Sequence, residues 1–179
     1  MGEIKISRRY ARALFDVGVE SKQLETFYQD MVQLEAIVKE SSDLRNFLKT
    51  PIVKAKKKQK VLGEIFTGKV NDVTVTFLNI ITQGGREALM QSIAEQFIVL
   101  YKELRNIKTA RLETVTPMEP VVKAQLIRAL EDFTKSTIEL EEVQNDKLIG
   151  GFVLELDDMK LENSVRAKLN LYHRELVEK

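Results

Sequence analysis

The residues that could perform acid, base or metal chemistry are few in this sequence. The chain contains one histidine, His173, and no cysteine, which excludes thiol nucleophiles and thiolate metal sites. A second group of candidates, Asp157, Asp158 and Glu162, lacks the ligand spacing of a calcium loop. We interpret the acidic pair as a turn and His173 as a surface residue, and we expect no catalytic residue, no metal and no cofactor.

A basic run from Lys54 to Lys60 is the other segment with a chemical bias. Clustered lysines can bind the phosphates of nucleic acids. No aromatic residue lies among these lysines to stack on bases, and Leu62 and Phe66 continue the helix that carries them. The run is therefore predicted to be solvated helix surface, with a nucleic-acid-binding module as the alternative function. The whole chain has 28 Lys and Arg against 27 Asp and Glu, so no net field favours nucleic acid.

The most informative stretch lies near the C-terminus, from Lys147 to Leu176. Gly150-Gly151 precedes residues 152–156, whose β-branched and aromatic side chains favour a strand. Asp157-Asp158 is typical of a turn, and Ser164 is placed to cap a last helix. The apolar stripe of that helix consists of Val165, Leu169, Tyr172 and Leu176. A strand, a turn and a helix also end many unrelated α+β domains.

This stretch resembles the C-terminal signature of the delta subunit of bacterial F-type ATP synthase, a family related to the mitochondrial oligomycin-sensitivity-conferring protein. The family has I-G-G before an apolar strand and an acidic turn, and D-G-S-V-R-x-x-L at the start of its last helix. The signature residues of this chain are Gly150, Gly151, Ser164, Val165 and Arg166. Asn163 stands where the family usually has glycine. Because asparagine tolerates a left-handed backbone, we expect the turn to be retained.

The remaining chain divides by pattern into a helical part and a mixed part. Apolar spacing of three and four residues predicts helices over about 7–20, 22–40, 54–67, 72–83, 88–107 and 120–134, with a short helical turn near 44–48. Strands are predicted over 109–116 and 137–143. We therefore predict an α+β fold. An N-terminal bundle of about six helices, residues 1–106, is followed by a small α+β domain, residues 107–179.

Two of the predicted helices, the first and the fifth, are apolar on more than one side. The first confines its polar residues to a narrow stripe, which leaves apolar residues for a core and for a partner. Burial of this helix by its own bundle is the alternative interpretation. The resemblance, which extends over Arg8–Phe15 and Gly84-Gly85-Arg86, implies a groove between the two helices that binds the N-terminal helix of an alpha subunit. The candidate groove residues are Tyr10, Ala11, Leu14, Phe77, Ile80 and Ile81.

The resemblance also implies a function for the chain. A delta subunit is a non-catalytic part of the stator, or peripheral stalk, and joins the alpha subunit of the catalytic head to the b subunits, so that proton translocation is coupled to ATP synthesis. It implies no nucleic acid or small-molecule ligand, and a peripheral position on the cytoplasmic face of the bacterial plasma membrane. The sequence agrees with that position, since it lacks both a run of about 18 apolar residues and a signal-peptide pattern.

Overall fold

The computed structural model of the protein describes residues 2–165. The chain divides into two compact units, Met1–Lys102 and Glu103–Lys179. Helices make up most of the first unit, and the second contains a small sheet with a helix. The α+β class predicted from the sequence is thereby confirmed. The assignment of residues 1–106 and 107–179 to separate domains stays a prediction.

Six α-helices form the N-terminal part of the described chain. They are α1 (Gly2–Glu20), α2 (Leu24–Glu40), α3 (Ser42–Lys49), α4 (Ala55–Phe66), α5 (Asp72–Gln83) and α6 (Met90–Arg105). The first begins five residues earlier than predicted, with Glu3 in its first turn. The predicted turn near 44–48 is a full helix, because the Ser41 hydroxyl accepts a hydrogen bond from the Leu44 N–H and caps it. A 3₁₀ turn, Glu87–Leu89, precedes α6.

The core of this part is built around an apolar stripe on α2. Its apolar members are all buried: Leu24, Phe27, Met31, Leu34 and Val38. The Asp30 carboxylate is also buried, and it accepts hydrogen bonds from the Asn71 N–H at 3.0 Å and the Thr74 hydroxyl at 2.5 Å. Because Asn71 caps α5, Asp30 ties α2 to the start of that helix. Phe15 and Phe97 meet edge to face, with ring centroids 6.0 Å apart.

A glycine in the left-handed conformation closes the end of α5. Gly85 has φ +66°, and the Arg86 N–H donates to the Ile81 carbonyl at 3.1 Å. This left-handed closure satisfies a carbonyl that the helix end would otherwise leave unpaired. Gly84 remains in the ordinary helical conformation, so only Gly85 of the pair needs its conformational freedom.

The second unit contains a four-stranded sheet. The elements are β1 (Ile107–Thr114), α7 (Pro120–Thr134), β2 (Thr137–Gln144), β3 (Gly151–Leu156) and β4 (Met159–Ser164), with strand order β2-β1-β3-β4. β1 and β2 are parallel, and α7 makes the crossover that a parallel pair requires. One sheet face packs against α7. The core consists of Ala110, Leu112, Ile138, Leu154 and Leu156, against which Leu126, Ile127 and Leu130 pack.

The hairpin of β3 and β4 confirms the predicted acidic turn. Asp157 has φ +51° at its tip, and its carboxylate lies 2.7 Å from the Lys108 Nζ. β4 extends to Ser164, so the expected turn at Asn163 is wrong: Asn163 lies in the strand and pairs with Phe152. The last helix expected after Ser164, with Arg166 and His173, lies outside the described residues. Among residues 2–165, no helix is both long and apolar enough to cross a bilayer.

Candidate partner-binding groove

α1 and α5 border an apolar groove within the N-terminal unit. It contains a cavity of about 300 Å³, lined by Tyr10, Ala13, Leu14, Val17, Val73, Thr76, Phe77 and Ile80. Several of these side chains face solvent, and Ile80 is 53% exposed. Clustered exposed apolar residues are typical of a surface that another molecule covers.

The helical repeat explains why these two helices supply both a core and a groove. α1 buries Ala11, Leu14 and Phe15 on one side, while Ala13 and Val17 lie a fraction of a turn away and remain exposed. Successive residues are rotated by about 100° around a helix axis, so a wide apolar surface cannot be covered by one neighbour. The surplus apolar stripes on α1 and α5 become the groove walls.

The structure brings four of the six predicted groove residues together at the cavity. Tyr10 and Leu14 line it from α1, and Phe77 and Ile80 line it from α5. Ala11 and Ile81 are 0% exposed and do not line it. They occupy the core sides of their helices. Ala11 and Ile81 are as apolar as the lining residues beside them in sequence, but they point to a different side of the helix.

Four lining residues were missing from the predicted set. Ala13, Val17, Val73 and Thr76 all face the cavity. A signal for them exists in the sequence, because Val17 follows Tyr10 by seven residues and Val73 precedes Ile80 by seven, a spacing that keeps residues on one helix face. Counting along that spacing from Tyr10 and Ile80 would have found both.

Two arginines lie at one end of the groove. The guanidinium carbons of Arg9 and Arg86 are 5.7 and 5.8 Å from the centroid of the Tyr10 ring. Such distances favour attraction between a cation and the ring face. Arg86 follows the C-terminus of α5 while Tyr10 belongs to the first half of α1. The two helices therefore run in opposite directions along the groove, and Val17 and Val73 lie at its other end.

The basic run on α4 departs from the sequence prediction at one residue. The run was predicted to be solvated, but the Lys58 side chain is only 1% exposed. Its Nζ donates to Glu87 Oε1 and to the Leu48 carbonyl, both at 2.6 Å. Lys58 precedes the buried Leu62 and Phe66 by four and eight residues, so it shares their inward face. The ion pair and the carbonyl offset the cost of removing the ammonium from water.

The other lysines of the run are exposed. They give no support to a nucleic-acid interface beyond their charge, because the central member of the cluster is neutralised inside the fold. Among residues 2–165, no group of three or more His, Asp or Glu side chains is arranged to hold a metal ion.

The C-terminal signature residues have structural contacts in the sheet unit. The Val165 N–H donates to the Gly150 carbonyl at 2.9 Å. Gly151 pairs with Ser164 and has φ +82°, and a Cβ at this position would lie 2.1 Å from the Asn163 carbonyl oxygen. Both conformation and space therefore require glycine at 151. Arg166 lies outside the described residues.

Comparison with known proteins places this arrangement in a family. An ATP synthase subunit delta from Cytophaga hutchinsonii is 35% identical over 170 residues, which cover 95% of this chain and 93% of that protein. Another from Christiangramia forsetii is 30% identical over 172 residues, covering 96% and 93%. A chain in the cryo-EM structure of the Toxoplasma gondii mitochondrial ATP synthase hexamer has the same fold, with a TM-score of 0.74 at 23% identity over 96% of this chain and 97% of that chain. The family profile "ATP synthase delta (OSCP) subunit" matches residues 6–176, and this chain belongs to that family.

Proposed function

We propose that this chain is a non-catalytic peripheral-stalk subunit of an F-type ATP synthase. It joins the N-terminus of the alpha subunit, in the catalytic head, to the b subunits of the stalk. By holding the head still against the rotor, it couples proton translocation to ATP synthesis. It lies peripherally on the cytoplasmic face of the bacterial plasma membrane and is held there through the complex.

The observation that carries this proposal is the groove between α1 and α5. Its two walls are apolar helix faces, and its mouth exposes large side chains such as Val17, Val73 and Ile80. An amphipathic helix is recognised by such a groove through a few apolar anchors spaced along one face. The N-terminal helix of the alpha subunit is the occupant that family membership suggests.

Calorimetric titration with an alpha N-terminal peptide tests the groove. We expect saturable binding to the full chain. Ile80→Asp should lose about thirtyfold in affinity, because a carboxylate would replace an apolar side chain that the bound peptide buries. Lys57→Glu, an exposed change on α4, is the matched control and should bind normally. Normal binding by a folded Ile80→Asp variant would show that the alpha subunit binds at another surface.

The sheet unit is proposed to contact the b subunits. A chain truncated after Arg105, where α6 ends, should retain the groove and bind the alpha peptide. In reconstituted membranes it should fail to restore proton-driven ATP synthesis. Synthesis at the full rate would contradict a stalk role for the second unit.

The absence of catalytic activity is a separate part of the proposal. The isolated chain should neither bind nor hydrolyse Mg-ATP, since Gly84-Gly85, the one glycine pair between two helices within residues 2–165, closes α5 and follows no strand. A saturable micromolar heat on titration with Mg-ATP would contradict this part without affecting the groove.

A further inference from the structure

The helix of the sheet unit covers only part of the sheet face on which it packs. α7 follows β1 and precedes β2 in sequence, and the Glu131 carboxylate accepts a hydrogen bond from the Ile138 N–H of β2 at 3.3 Å. α7 therefore lies mainly over the β1–β2 half of this face.

The other half of the same face is apolar and open. Leu154 and Leu156 of β3 belong to the core on the α7 side of the sheet. They pair with Leu161 and Met159 of β4, and directly opposite residues of an antiparallel pair share a face. Met159 and Leu161 are 50% and 56% exposed, so the β4 part of this face is in contact with solvent.

α7 borders this open half with a second apolar side. Phe133 is 71% exposed, and with Leu130 and the four sheet residues it lines a cavity of about 160 Å³. Val122 and Ala129 are also exposed and precede Phe133 by eleven and four residues, spacings that keep residues on one side of a helix. We call this surface the trough, with a wall on α7 and a floor on the sheet: Val122, Ala129 and Phe133; Leu154, Leu156, Met159 and Leu161.

The trough has the composition of an interaction surface. All seven of its residues are apolar, and the charged residues of β4, Lys160 and Glu162, alternate with Met159 and Leu161 and therefore point to the opposite face. Clustered exposed apolar side chains on a soluble domain are typical of a surface that another molecule covers.

The dimensions of the trough fit a single helix. Two neighbouring strands are about 10 Å wide together, which is about the diameter of one α-helix with its side chains. A six-residue strand is about 20 Å long and matches about 13 helical residues. The cavity beside Phe133 is close to the size of about 150 Å³ that accepts a benzene ring in an apolar core. It therefore has room for one large apolar anchor.

We propose that the trough is the docking site of a b subunit, which lays one amphipathic helix along α7 and inserts a large apolar side chain into the cavity. The inference rests on the proposed contact between the sheet unit and the b subunits. A helix is favoured because it pairs its backbone groups internally and covers the floor with an apolar stripe. A partner strand would instead pair with the edge of β4 and leave the trough open.

Calorimetric titration of the full-length protein with the water-soluble part of the b subunit of the same organism tests the site. Phe133→Asp and Leu161→Asp should each lower the affinity about thirtyfold, because a carboxylate would replace an apolar side chain that the bound helix buries. Both positions are exposed, so the melting temperature should stay near that of the parent.

Val121→Asp is the matched control on the same helix. Val121 is exposed, but it is turned by about 100° around α7 from Val122, away from the trough. This variant should bind the b subunit normally. The alpha N-terminal peptide should bind all three variants as it binds the parent, because the groove between α1 and α5 belongs to the other unit.

A fluorescent label reports on the trough directly. The chain has no cysteine, so Ala129→Cys provides a single attachment site on the wall. Iodide should quench this label in the free protein, and the b subunit should protect it. A label at Arg128→Cys, on another side of α7, should be quenched equally with and without the b subunit.

The outcomes separate the docking site from the stalk role. If Phe133→Asp and Leu161→Asp fold and bind the b subunit as the parent does, the docking site is overturned and the stalk role stands. If the label at position 129 is shielded from iodide in the free protein, residues 166–179 or a second copy of the chain fill the trough, which also overturns the inference. If the parent does not bind the b subunit, the proposed stalk contact is overturned together with its site.

Discussion

The groove between α1 and α5 and the basic run on α4 are opposites in composition and in exposure. The groove leaves Ile80 and Val17 in solvent although they are strongly apolar, whereas α4 buries the ammonium of Lys58 although it lies in the most charged run of the chain. The comparison teaches that the angular position of a residue on its helix decides whether its side chain is exposed. The residue type decides only the free-energy cost of that exposure or burial.

The cost of burying the Lys58 ammonium and the cost of exposing the apolar groove residues are offset in different ways. Lys58 is compensated inside its own unit by Glu87 and the Leu48 carbonyl. The exposed side chains of the groove have no such compensation within the described chain, and burial by another helix would stabilise the complex by about 25 cal/mol per Å² of apolar surface. A buried charge therefore indicates internal stability, and an exposed apolar stripe indicates association.

The largest expected effect comes from removing the buried charge. Lys58→Ala should lower the free energy of unfolding by about 3–5 kcal/mol, because Glu87 would be left without its partner in a largely buried position. Urea unfolding measures this loss. Lys57→Ala, one position earlier and exposed, should change the free energy by no more than about 0.5 kcal/mol.

A double variant separates charge from packing at the same site. Lys58→Met with Glu87→Gln removes both charges and retains most of the volume, so it should recover most of the stability lost in Lys58→Ala. If the double variant is as unstable as Lys58→Ala, restoring the volume is not sufficient, and the contribution of Lys58 is its ion pair with Glu87 and its hydrogen bond to the Leu48 carbonyl.

Adjacent isoleucines give the next largest contrast. Ile81→Ala should cost about 2–5 kcal/mol of unfolding free energy, because Ile81 is fully buried. Ile80→Ala should cost well under about 1 kcal/mol in the free protein, since half of the side chain is already in solvent. The order should invert when affinity for the alpha N-terminal peptide is measured in a folded variant. Equal losses of stability in both variants would place Ile80 in the core.

The smallest expected effect on stability belongs to the groove wall of α1. Ala13→Asp should leave the melting temperature nearly unchanged, because Ala13 is exposed, and it should weaken peptide binding by placing a carboxylate in the apolar floor. Ala11→Asp is the matched contrast, since this alanine is buried and its replacement should unfold the unit. Full peptide binding by Ala13→Asp would exclude α1 as a groove wall.

Spacing and turn chemistry were enough to predict most elements of the fold. The helices of the N-terminal part and the acidic turn before β4 depend on apolar spacing and on neighbours within a few residues. The inward direction of Lys58 could not be predicted in this way, because its partner Glu87 lies 29 residues away in sequence. The same limit applies to Ala11 and Ile81, whose burial depends on which other helices pack against α1 and α5.

Tyr10 also gives the groove an intrinsic optical reporter. The sequence has no tryptophan and four tyrosines, so ultraviolet emission of the protein comes from tyrosine. Tyr28 and Tyr101 are stacked with their ring centroids 3.9 Å apart, and the Tyr101 hydroxyl donates to Glu25, two conditions that quench a phenol. Tyr10 instead lines an open cavity beside two guanidinium groups. A tryptophan placed in a docked helix would accept energy from it, so occupancy could be followed by fluorescence in unlabelled protein.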